Sequence, residues 1–272
     1  MTDALAGLVA GWPPNNVAVA VVTSAATITY GDIDRDYRVA SVSKLLTAYA
    51  ALVAVEEGTT SLDTPVGQDG CTLEHLLTHA GGYPFEGTQP VNAAGRKRIY
   101  SNTGYDMIAA HIEARSTIPF ARYLRESVCE PLGMTKTLLA GSAAKDVHST
   151  VRDLTAFVSE MRRPTLLSQT TWLDATTPHF AELEGIVPGV GRFSPCWWGL
   201  GPELKGHKHP HWLGERNSAS TFGHFGGAGT FAWVDPVADV GCVMLSDLGF
   251  DEWGLTYWPT FNDAIVSKKY SS

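Results

Sequence analysis

The chain has 272 residues, a formal net charge of −8 at pH 7, 44% hydrophobic residues and 18% charged residues. These values are those of an ordinary globular protein with enough apolar material for one large domain. The negative charge argues against nucleic acid and anionic membranes as partners, because binding to phosphate groups requires a basic patch. The basic residues form only short clusters, at 96–98, 162–163 and 268–269.

The cellular compartment is predicted from the apolar runs and the first residues. No apolar run reaches the length of a membrane span. The first ten residues include Asp3 and no basic residue, which makes a poor secretory signal. We therefore expect a cytoplasmic protein whose cysteines are free and buried. These cysteines are Cys71, Cys129, Cys196 and Cys242.

The first predicted elements are a short helix ending near Gly11 and a β-hairpin. The run 16–24 is rich in valine and predicts a strand, 27–30 predicts a second strand, and the residues between them form the turn. A helix follows from about Ser41, with Ser41 as its N-cap and Gly58 as its stop. Nearly every later side chain of this helix is apolar or small, so we expect the helix to be buried.

Ser41 and Lys44 lie three residues apart, which places the hydroxyl and the amine on one face of this helix. A buried lysine loses hydration, its pKa falls, and the neutral amine can take a proton from a nearby serine. Ser-x-x-Lys is a weak pattern, however, and Ser142 with Lys145 also matches it. This second copy lies in the polar, Gly/Ala-rich stretch 140–146, which predicts a loop with a solvated lysine.

Short helices and loops are predicted between Gly58 and about residue 204, without a strong strand run. The predicted helices are 73–78, 105–114, 119–128, 151–161 and a weaker one at 169–175. Strand character returns at 229–234 and 239–245, with a turn between these runs. An amphipathic helix at about 255–268 closes the chain. The aromatic-rich stretch 253–258, which overlaps its start, is either an interface or core.

The strands of the two chain ends are predicted to share one antiparallel sheet, because neither hairpin is stable alone. The fold class is therefore α/β (α+β), with an antiparallel sheet flanked by helices and a mostly helical region. In this prediction 1–60 and 205–272 form the sheet region and 61–204 the helical region, within one catalytic unit.

Two further triplets follow Ser41 and Lys44 in order. They are Tyr100-Ser-Asn102 and His224-Phe-Gly226, the latter followed by Gly227. With these triplets the chain resembles the serine β-lactamase-like family, which includes class C β-lactamases, DD-peptidases and family VIII esterases. That family carries Ser-x-x-Lys, then Tyr-x-Asn, then Lys- or His-x-Gly. The stretches 73–82, 100–105, 130–134, 223–230 and 234–236 are also similar to the family, so the resemblance covers about 17–245 and implies a β-lactamase/transpeptidase-like fold.

The resemblance implies an acyl-transfer mechanism. Ser41 would attack an acyl carbon to form an acyl-enzyme, which water or an alcohol resolves. Lys44 and Tyr100 would share the proton transfers, and either could be the base. Asn102 would hold Lys44 and an oxygen of the substrate by hydrogen bonds.

The third triplet would shape the oxyanion hole, formed by the backbone N–H groups of Ser41 and Gly227. Glycine at 226 and 227 would let the substrate approach the strand closely. His224 and Phe225 stand where the family usually has a cation and a hydroxyl that bind a carboxylate. A histidine is largely neutral at pH 7 and phenylalanine has no donor, so both changes weaken binding of an anionic β-lactam or D-Ala-D-Ala.

The expected function is therefore hydrolysis of a carboxylic ester or related small acyl compound. The alternatives are a β-lactamase or DD-peptidase, and a non-catalytic binding protein of this fold. Aromatic side chains are candidates for the apolar walls of the pocket. They are Tyr83, Phe85, Trp197, Trp198, Trp212 and Phe225.

Four histidines fall outside the catalytic set. His79 begins a His-x-Gly match, but it precedes Tyr100, so we interpret it as structural. His207, His209 and His211 alternate and would share one face of a strand, where they could bind a divalent metal. A flexible polar loop is the favoured interpretation, and we expect neither a metal nor a cofactor.

Overall fold

The computed structural model describes residues 2–267. Its strands are β1 (Val17–Thr23), β2 (Thr27–Tyr30), β3 (Tyr37–Arg38), β4 (Leu138–Leu139), β5 (Val147–Ser149), β6 (Gly185–Val187), β7 (Gly191–Phe193), β8 (Glu203–Leu204), β9 (Phe222–Gly226), β10 (Thr230–Asp235) and β11 (Val240–Ser246). Its α-helices are α1 (Thr2–Val9), α2 (Ser43–Glu56), α3 (Leu73–Leu77), α4 (Asn102–Ser116), α5 (Phe120–Leu124), α6 (Val151–Arg162), α7 (Gln169–Ala175) and α8 (Glu252–Ser267).

One antiparallel sheet joins the two ends of the chain. Its strand order is β2-β1-β11-β10-β9-β8, and β1 pairs with β11 along its whole length, from Val17 opposite Ser246 to Thr23 opposite Val240. The predicted shared sheet and the predicted fold class are therefore confirmed. The division into regions at 60/61 and 204/205 stays a prediction.

Alternate side chains of β1 belong to different layers of the core. Ala18, Ala20 and Val22 pack in the layer that contains α2 and α6. Val19 and Val21 pack in the opposite layer, with α1 and α8. Because both faces of the strand are covered, its sequence is an uninterrupted apolar run. In the second layer Trp258 is fully buried and Trp253 nearly so, which makes both tryptophans of the aromatic stretch core, whereas Tyr257 is exposed.

The helix predicted after Ser41 is α2, and its residues 43–54 are buried as expected. Gly58 follows the end of the helix with a φ of +76°, a conformation that favours glycine. The predicted N-cap is wrong. Ser41 lies within a 3₁₀ turn, Ala40–Val42, that leads directly into α2 without a side-chain cap. Its backbone is therefore already part of a helical turn, whereas the backbone of an N-cap residue is extended.

The middle of the chain contains the predicted helices with shifted ends. Helix α4 begins three residues earlier than predicted, at Asn102, because Ser101 caps it by accepting a hydrogen bond from the Gly104 N–H. The predicted helix 119–128 is α5 followed by a π-helical turn, Arg125–Cys129. The predicted final helix is α8, and residue 268 at its predicted end, like the cluster 268–269, lies outside the described residues.

Several short strands were not predicted. Strands β3, β4 and β5 form a three-stranded sheet, and β6 pairs with β7. Strands β4 to β7 lie in the middle region, where the sequence predicts no strong strand run. These strands have only two or three residues, too few to show an alternating pattern. Strand β9 contains Gly223 and Gly226, and glycine is depleted in strands.

The four cysteines are buried and unpaired. Burial raises the pKa of Cys71 to about 11 and that of Cys129 to about 12, so these thiols are protonated at neutral pH. Among residues 2–267, no helix combines the length and the apolar character needed to cross a bilayer.

A buried charged cluster fixes the segment after β8. One carboxylate oxygen of Glu203 lies 2.9 Å from Lys208 Nζ and 2.9 Å from His211 Nε2, and Trp212 Nε1 donates to the other oxygen. Burial alone would raise the pKa of Glu203, but Lys208 and His211 outweigh it and hold that pKa far below its usual range. Glu203 is therefore a carboxylate at neutral pH.

Replacing Lys208 with methionine is expected to lower the free energy of unfolding by about 3–5 kcal/mol, because it leaves a buried carboxylate without its cation. Urea unfolding followed by circular dichroism measures the change. The control is Lys136→Met, which alters an exposed lysine and is expected to change stability by less than about 0.5 kcal/mol. Similar unfolding free energies for the two variants would contradict the role of Lys208.

The histidines at alternate positions, 207, 209 and 211, have different surroundings, and one of them belongs to this charged cluster. Both ring nitrogens of His211 are engaged, Nε2 by Glu203 and Nδ1 by the Leu213 N–H. His207 packs against the Trp197 ring with a centroid distance of 5.7 Å, and the exposed His209 lies 3.9 Å from Glu215. Across residues 2–267, no group of three His, Cys, Asp or Glu side chains is arranged to hold a metal ion.

Candidate active site

The turn that carries Ser41 is held against the sheet. Ala40, just before Ser41, has a φ of +46°, which is unusual for a residue other than glycine. Thr230 Oγ1 on β10 donates to the Val39 carbonyl at 2.8 Å and fixes the preceding residue. The resulting conformation places Ser41 at the floor of a cleft.

The amine of Lys44 is fully buried and faces three oxygen atoms. Nζ lies 2.6 Å from Asn102 Oδ1, 3.0 Å from the Ala144 carbonyl oxygen and 3.4 Å from Ser41 Oγ. Burial lowers the pKa of Lys44 to about 7, although the negative charges of Asp106 and Glu86 act in the opposite direction. A substantial fraction of this lysine is therefore neutral at pH 7.

The neutral amine has two N–H bonds and one lone pair. The Ala144 carbonyl oxygen and the Asn102 side-chain oxygen can only accept hydrogen bonds. The two N–H groups of the amine therefore donate to these two oxygens. The lone pair is left for the remaining contact, with Ser41. This arrangement suits proton transfer from the serine hydroxyl to the amine.

The orientation of the Asn102 amide is fixed from its other side. Asn102 Nδ2 donates to Glu86 Oε1 at 2.9 Å, and the ammonium of Lys145 lies 2.6 Å from the same oxygen. Lys145 was predicted to be solvated in a loop. It does lie in a loop, but it is paired with Glu86, and its neighbour Ala144 contacts Lys44. The second Ser-x-x-Lys copy is therefore part of the surroundings of the site.

Tyr100 and His224 form the opposite side of the cleft. The Tyr100 hydroxyl oxygen lies 3.3 Å from His224 Nε2, and Lys44 Nζ lies 4.6 Å from the centre of the Tyr100 ring. Burial raises the pKa of Tyr100 well above its ordinary value, although the hydrogen bond with Ser41 acts in the opposite direction. Tyr100 is therefore a neutral phenol at pH 7.

His224 carries no charge at neutral pH. Burial, and secondarily the charge of Lys44, lowers its pKa to about 3. Its Nδ1 lies 2.6 Å from the Phe225 carbonyl oxygen, which can only accept, so the ring proton is on Nδ1. Nε2 is then an acceptor, and the Tyr100 hydroxyl donates to it. The expectation of a largely neutral histidine agrees with this geometry.

His79 lies beneath this side of the cleft. Its Nδ1 accepts a hydrogen bond from the Ser101 N–H at 3.1 Å, and its ring centre is 4.5 Å from that of Tyr100. His79 is buried and hydrogen-bonded to Ser101, the residue that caps α4. Both observations agree with the structural role predicted for it.

The two glycines after Phe225 differ in their surroundings. A Cβ at Gly226 would lie 2.4 Å from both the Val39 carbonyl oxygen and Thr230 Oγ1. The contact between the sheet and the Ser41 turn therefore requires glycine at 226, and a close approach of substrate at this position stays a prediction. At Gly227 a Cβ would meet nothing within 4 Å. Gly227 lines the cleft with Ser41, where its N–H is a candidate oxyanion donor.

The cleft encloses a cavity of about 240 Å³ next to Ser41. Most of its walls are apolar, and no lysine or arginine within residues 2–267 lines it. The residues that line it are Ser41, Phe85, Tyr100, Val187, Pro188, Gly189, Trp198, His224, Phe225, Gly227 and Phe250. A larger cavity, of about 580 Å³, lies beside 205–215 and does not include Ser41.

Three of the six aromatic residues predicted as walls line the cavity, namely Phe85, Trp198 and Phe225. Tyr83 and Trp212 are instead buried, and Trp197 lies over His207. Sequence reasoning missed Phe250, whose ring centre is 4.6 Å from that of Phe225. It also missed Glu86 and Ala144, which lie in loops and belong to none of the three triplets.

Comparison with known proteins gives three findings. The family model described as Beta-lactamase matches residues 15–261. A crystal structure of a β-lactamase from Mycobacterium bovis is 45% identical in sequence, with a TM-score of 0.95, and the match covers 96% of this chain and 98% of that chain. Unliganded simvastatin synthase from Aspergillus terreus is 18% identical, with a TM-score of 0.79 and 98% of both chains covered, which is a likeness of fold.

The curated relatives are more distant. A putative D-alanyl-D-alanine carboxypeptidase from Escherichia coli (strain K12) is 25% identical, over 68% of this chain and 58% of the relative. The match thus spans less than two thirds of that protein's length.

Proposed function

The chain belongs to the β-lactamase family, and from this premise we propose that it is a serine hydrolase acting on uncharged carboxylic esters or related small acyl compounds. Ser41 Oγ forms a bond to the acyl carbon while its proton passes to Nζ of Lys44. The N–H groups of Ser41 and Gly227 stabilise the oxyanion. The alkoxide of the substrate leaves with the proton now held by Lys44, and water then releases the acid from Ser41.

Lys44 is the base in this proposal. Its pKa of about 7 allows a neutral amine at working pH, and two of its contacts are with groups that only accept. Tyr100 has a raised pKa and donates its proton to His224, so it is poorly suited to remove a proton from Ser41.

The observation that supports an uncharged substrate is the lining of the cavity. A buried carboxylate needs a cation or several donors, or its transfer from water costs several kcal/mol. The His224 ring is neutral, and the nitrogen that contacts Tyr100 is an acceptor. The volume of about 240 Å³ is below the roughly 300–1,000 Å³ of drug-sized ligand pockets, which favours a short acyl group.

A matched pair of esters tests this preference. The esters p-nitrophenyl butyrate and p-nitrophenyl hemisuccinate have similar chains, but the second ends in a carboxylate. We expect kcat/KM for the hemisuccinate to be lower than that for the butyrate by a factor of at least about 100, since roughly 3 kcal/mol of lost binding gives that factor. Similar kcat/KM values for the two esters would contradict the proposed selectivity.

The second candidate function is that of a β-lactamase or DD-peptidase, and the 45% identity to the M. bovis β-lactamase favours it. Turnover of nitrocefin faster than that of p-nitrophenyl butyrate, or a stable penicilloyl adduct, would support this candidate against the esterase.

The nucleophile is tested with a fluorophosphonate probe. We expect a single covalent adduct by intact-protein mass spectrometry, and peptide mapping is expected to place it on Ser41 and not on Ser142 of the second Ser-x-x-Lys copy. A folded protein that forms no adduct would support a non-catalytic binding protein of this fold.

A further inference from the structure

The second Ser-x-x-Lys copy, 142–145, reaches Lys44 by a chain of polar contacts. The Lys145 ammonium lies 2.6 Å from Glu86 Oε1, and the same oxygen accepts from Asn102 Nδ2 at 2.9 Å. The Asn102 oxygen then accepts from Lys44 Nζ at 2.6 Å. If the amide were reversed, its oxygen would face a carboxylate and its NH₂ group would face the amine. Glu86 therefore excludes the reversed orientation.

The same segment controls the other acceptor of Lys44. Ser142 Oγ donates to Asp106 Oδ1 at 2.7 Å and accepts from the Ala144 N–H at 3.2 Å. These two bonds fix the peptide that places the Ala144 carbonyl 3.0 Å from Lys44 Nζ. The segment 142–145 thus positions both acceptors of Lys44, the Ala144 carbonyl directly and the Asn102 oxygen through Glu86, and so determines where the two N–H groups of the amine point.

We propose that Glu86 and the segment 142–145 form a positioning network that directs the lone pair of Lys44 toward Ser41 and adjusts how readily the amine takes a proton. This inference rests on the proposed function, in which Lys44 is the base. None of these residues lines the cavity, so they act through Lys44 and Asn102 and not on the substrate.

The charges around Lys44 determine the direction of the expected effects. Helix α4 contributes Asp106, and the loops contribute Glu86 and Lys145. The two carboxylates raise the pKa of Lys44, and the Lys145 ammonium lowers it. The other titratable groups facing the amine are neutral at pH 7; they are His79, His224, Tyr100 and Tyr105.

The first test compares pH profiles of kcat/KM for ester hydrolysis. Glu86→Gln keeps an oxygen that accepts from Asn102 but removes a negative charge, so the acidic limb is expected to move to lower pH. Lys145→Met removes a positive charge, so the limb is expected to move to higher pH. Because both side chains are partly exposed and screened by solvent, each shift is expected to be a few tenths of a pH unit.

A second lysine–glutamate pair provides the control. Lys97 and Glu184 are 3.3 Å apart and exposed to a similar degree as Lys145 and Glu86. Lys97→Met and Glu184→Gln are expected to leave the acidic limb where it is in the wild-type enzyme. Shifts in the same direction for Glu86→Gln and Lys145→Met, or equal shifts in the control pair, would overturn the proposal.

The second test separates position from charge. Glu86→Ala removes the acceptor that orients Asn102, so kcat is expected to fall about tenfold or more, as for other misplaced catalytic groups. Glu86→Gln is expected to retain most of the wild-type kcat. Equal losses of kcat in the two variants would contradict a positioning role for the Glu86 oxygen.

A measurement without turnover keeps this inference distinct from the proposed function. In protein labelled with [¹³Cε]lysine, the Lys44 resonance, assigned by its absence from Lys44→Met, reports the pKa of the amine by NMR titration. Opposite shifts in the two charge variants would support the network even if the wild-type protein hydrolysed no ester. Active wild-type enzyme with an unmoved Lys44 titration would overturn the network and leave the function standing.

Discussion

Replacing Ser41 with alanine is expected to lower kcat for p-nitrophenyl butyrate by at least about 10⁴-fold, because the proposed covalent route requires its hydroxyl as the nucleophile. Among the described residues that line the cavity, the titratable side chains are Tyr100 and His224. The Tyr100 phenol is neutral at pH 7, and the acceptor nitrogen of His224 is hydrogen-bonded to that phenol, so neither is suited to replace the serine. Initial rates corrected for spontaneous hydrolysis measure the effect.

The matched control for this substitution is Ser159→Ala, which removes a hydroxyl from α6 that donates to the Thr155 carbonyl. It is expected to retain the wild-type rate. Thermal unfolding should show that both variants are folded. A Ser41→Ala protein that hydrolyses the ester at the wild-type rate would refute Ser41 as the nucleophile.

Replacing Lys44 with methionine is expected to lower kcat/KM by about 10²–10⁴-fold, the range typical of general base catalysis. The substitution is also expected to change the shape of the pH profile. The proposed base is the neutral amine, so kcat/KM for the wild-type protein is expected to rise with pH through about 7 and then level off. Below this region each pH unit is expected to lower the rate about tenfold, as the amine becomes protonated.

Methionine has no proton to exchange, so the residual activity of Lys44→Met is expected to lack this rise near pH 7. Initial rates between pH 5 and 9, under conditions where both proteins remain folded, provide the measurement. Persistence of the same acidic limb in Lys44→Met would assign that limb to another group and contradict Lys44 as the base.

The elements with long, regular patterns were predictable from the sequence. The valine-rich run of β1 and the apolar surface of α2 each extend over seven or more residues and were assigned correctly. Strands β3, β4 and β5 are fixed by their pairing partners, since two or three residues carry no periodic signal of their own.

The same distinction applies to the site. The three triplets led to Ser41, Lys44, Tyr100 and His224 because each lies in a short sequence pattern. Glu86 was missed because its partners are Asn102, 16 residues away, and Lys145, 59 residues away. Contacts between loops depend on the folded chain, so local sequence gives no indication of them.

The seam between β1 and β11 joins strands about 220 residues apart, as in the pairing of Val19 with Met244. Contacts of such long separation slow folding, because the intervening chain must be ordered before they form. Ser41 and Lys44 follow β1, whereas His224 and Gly227 precede β11, so the two walls of the cleft come from opposite sides of this seam. The candidate active site is therefore assembled only when the sheet closes, and we expect partly folded chains to lack it.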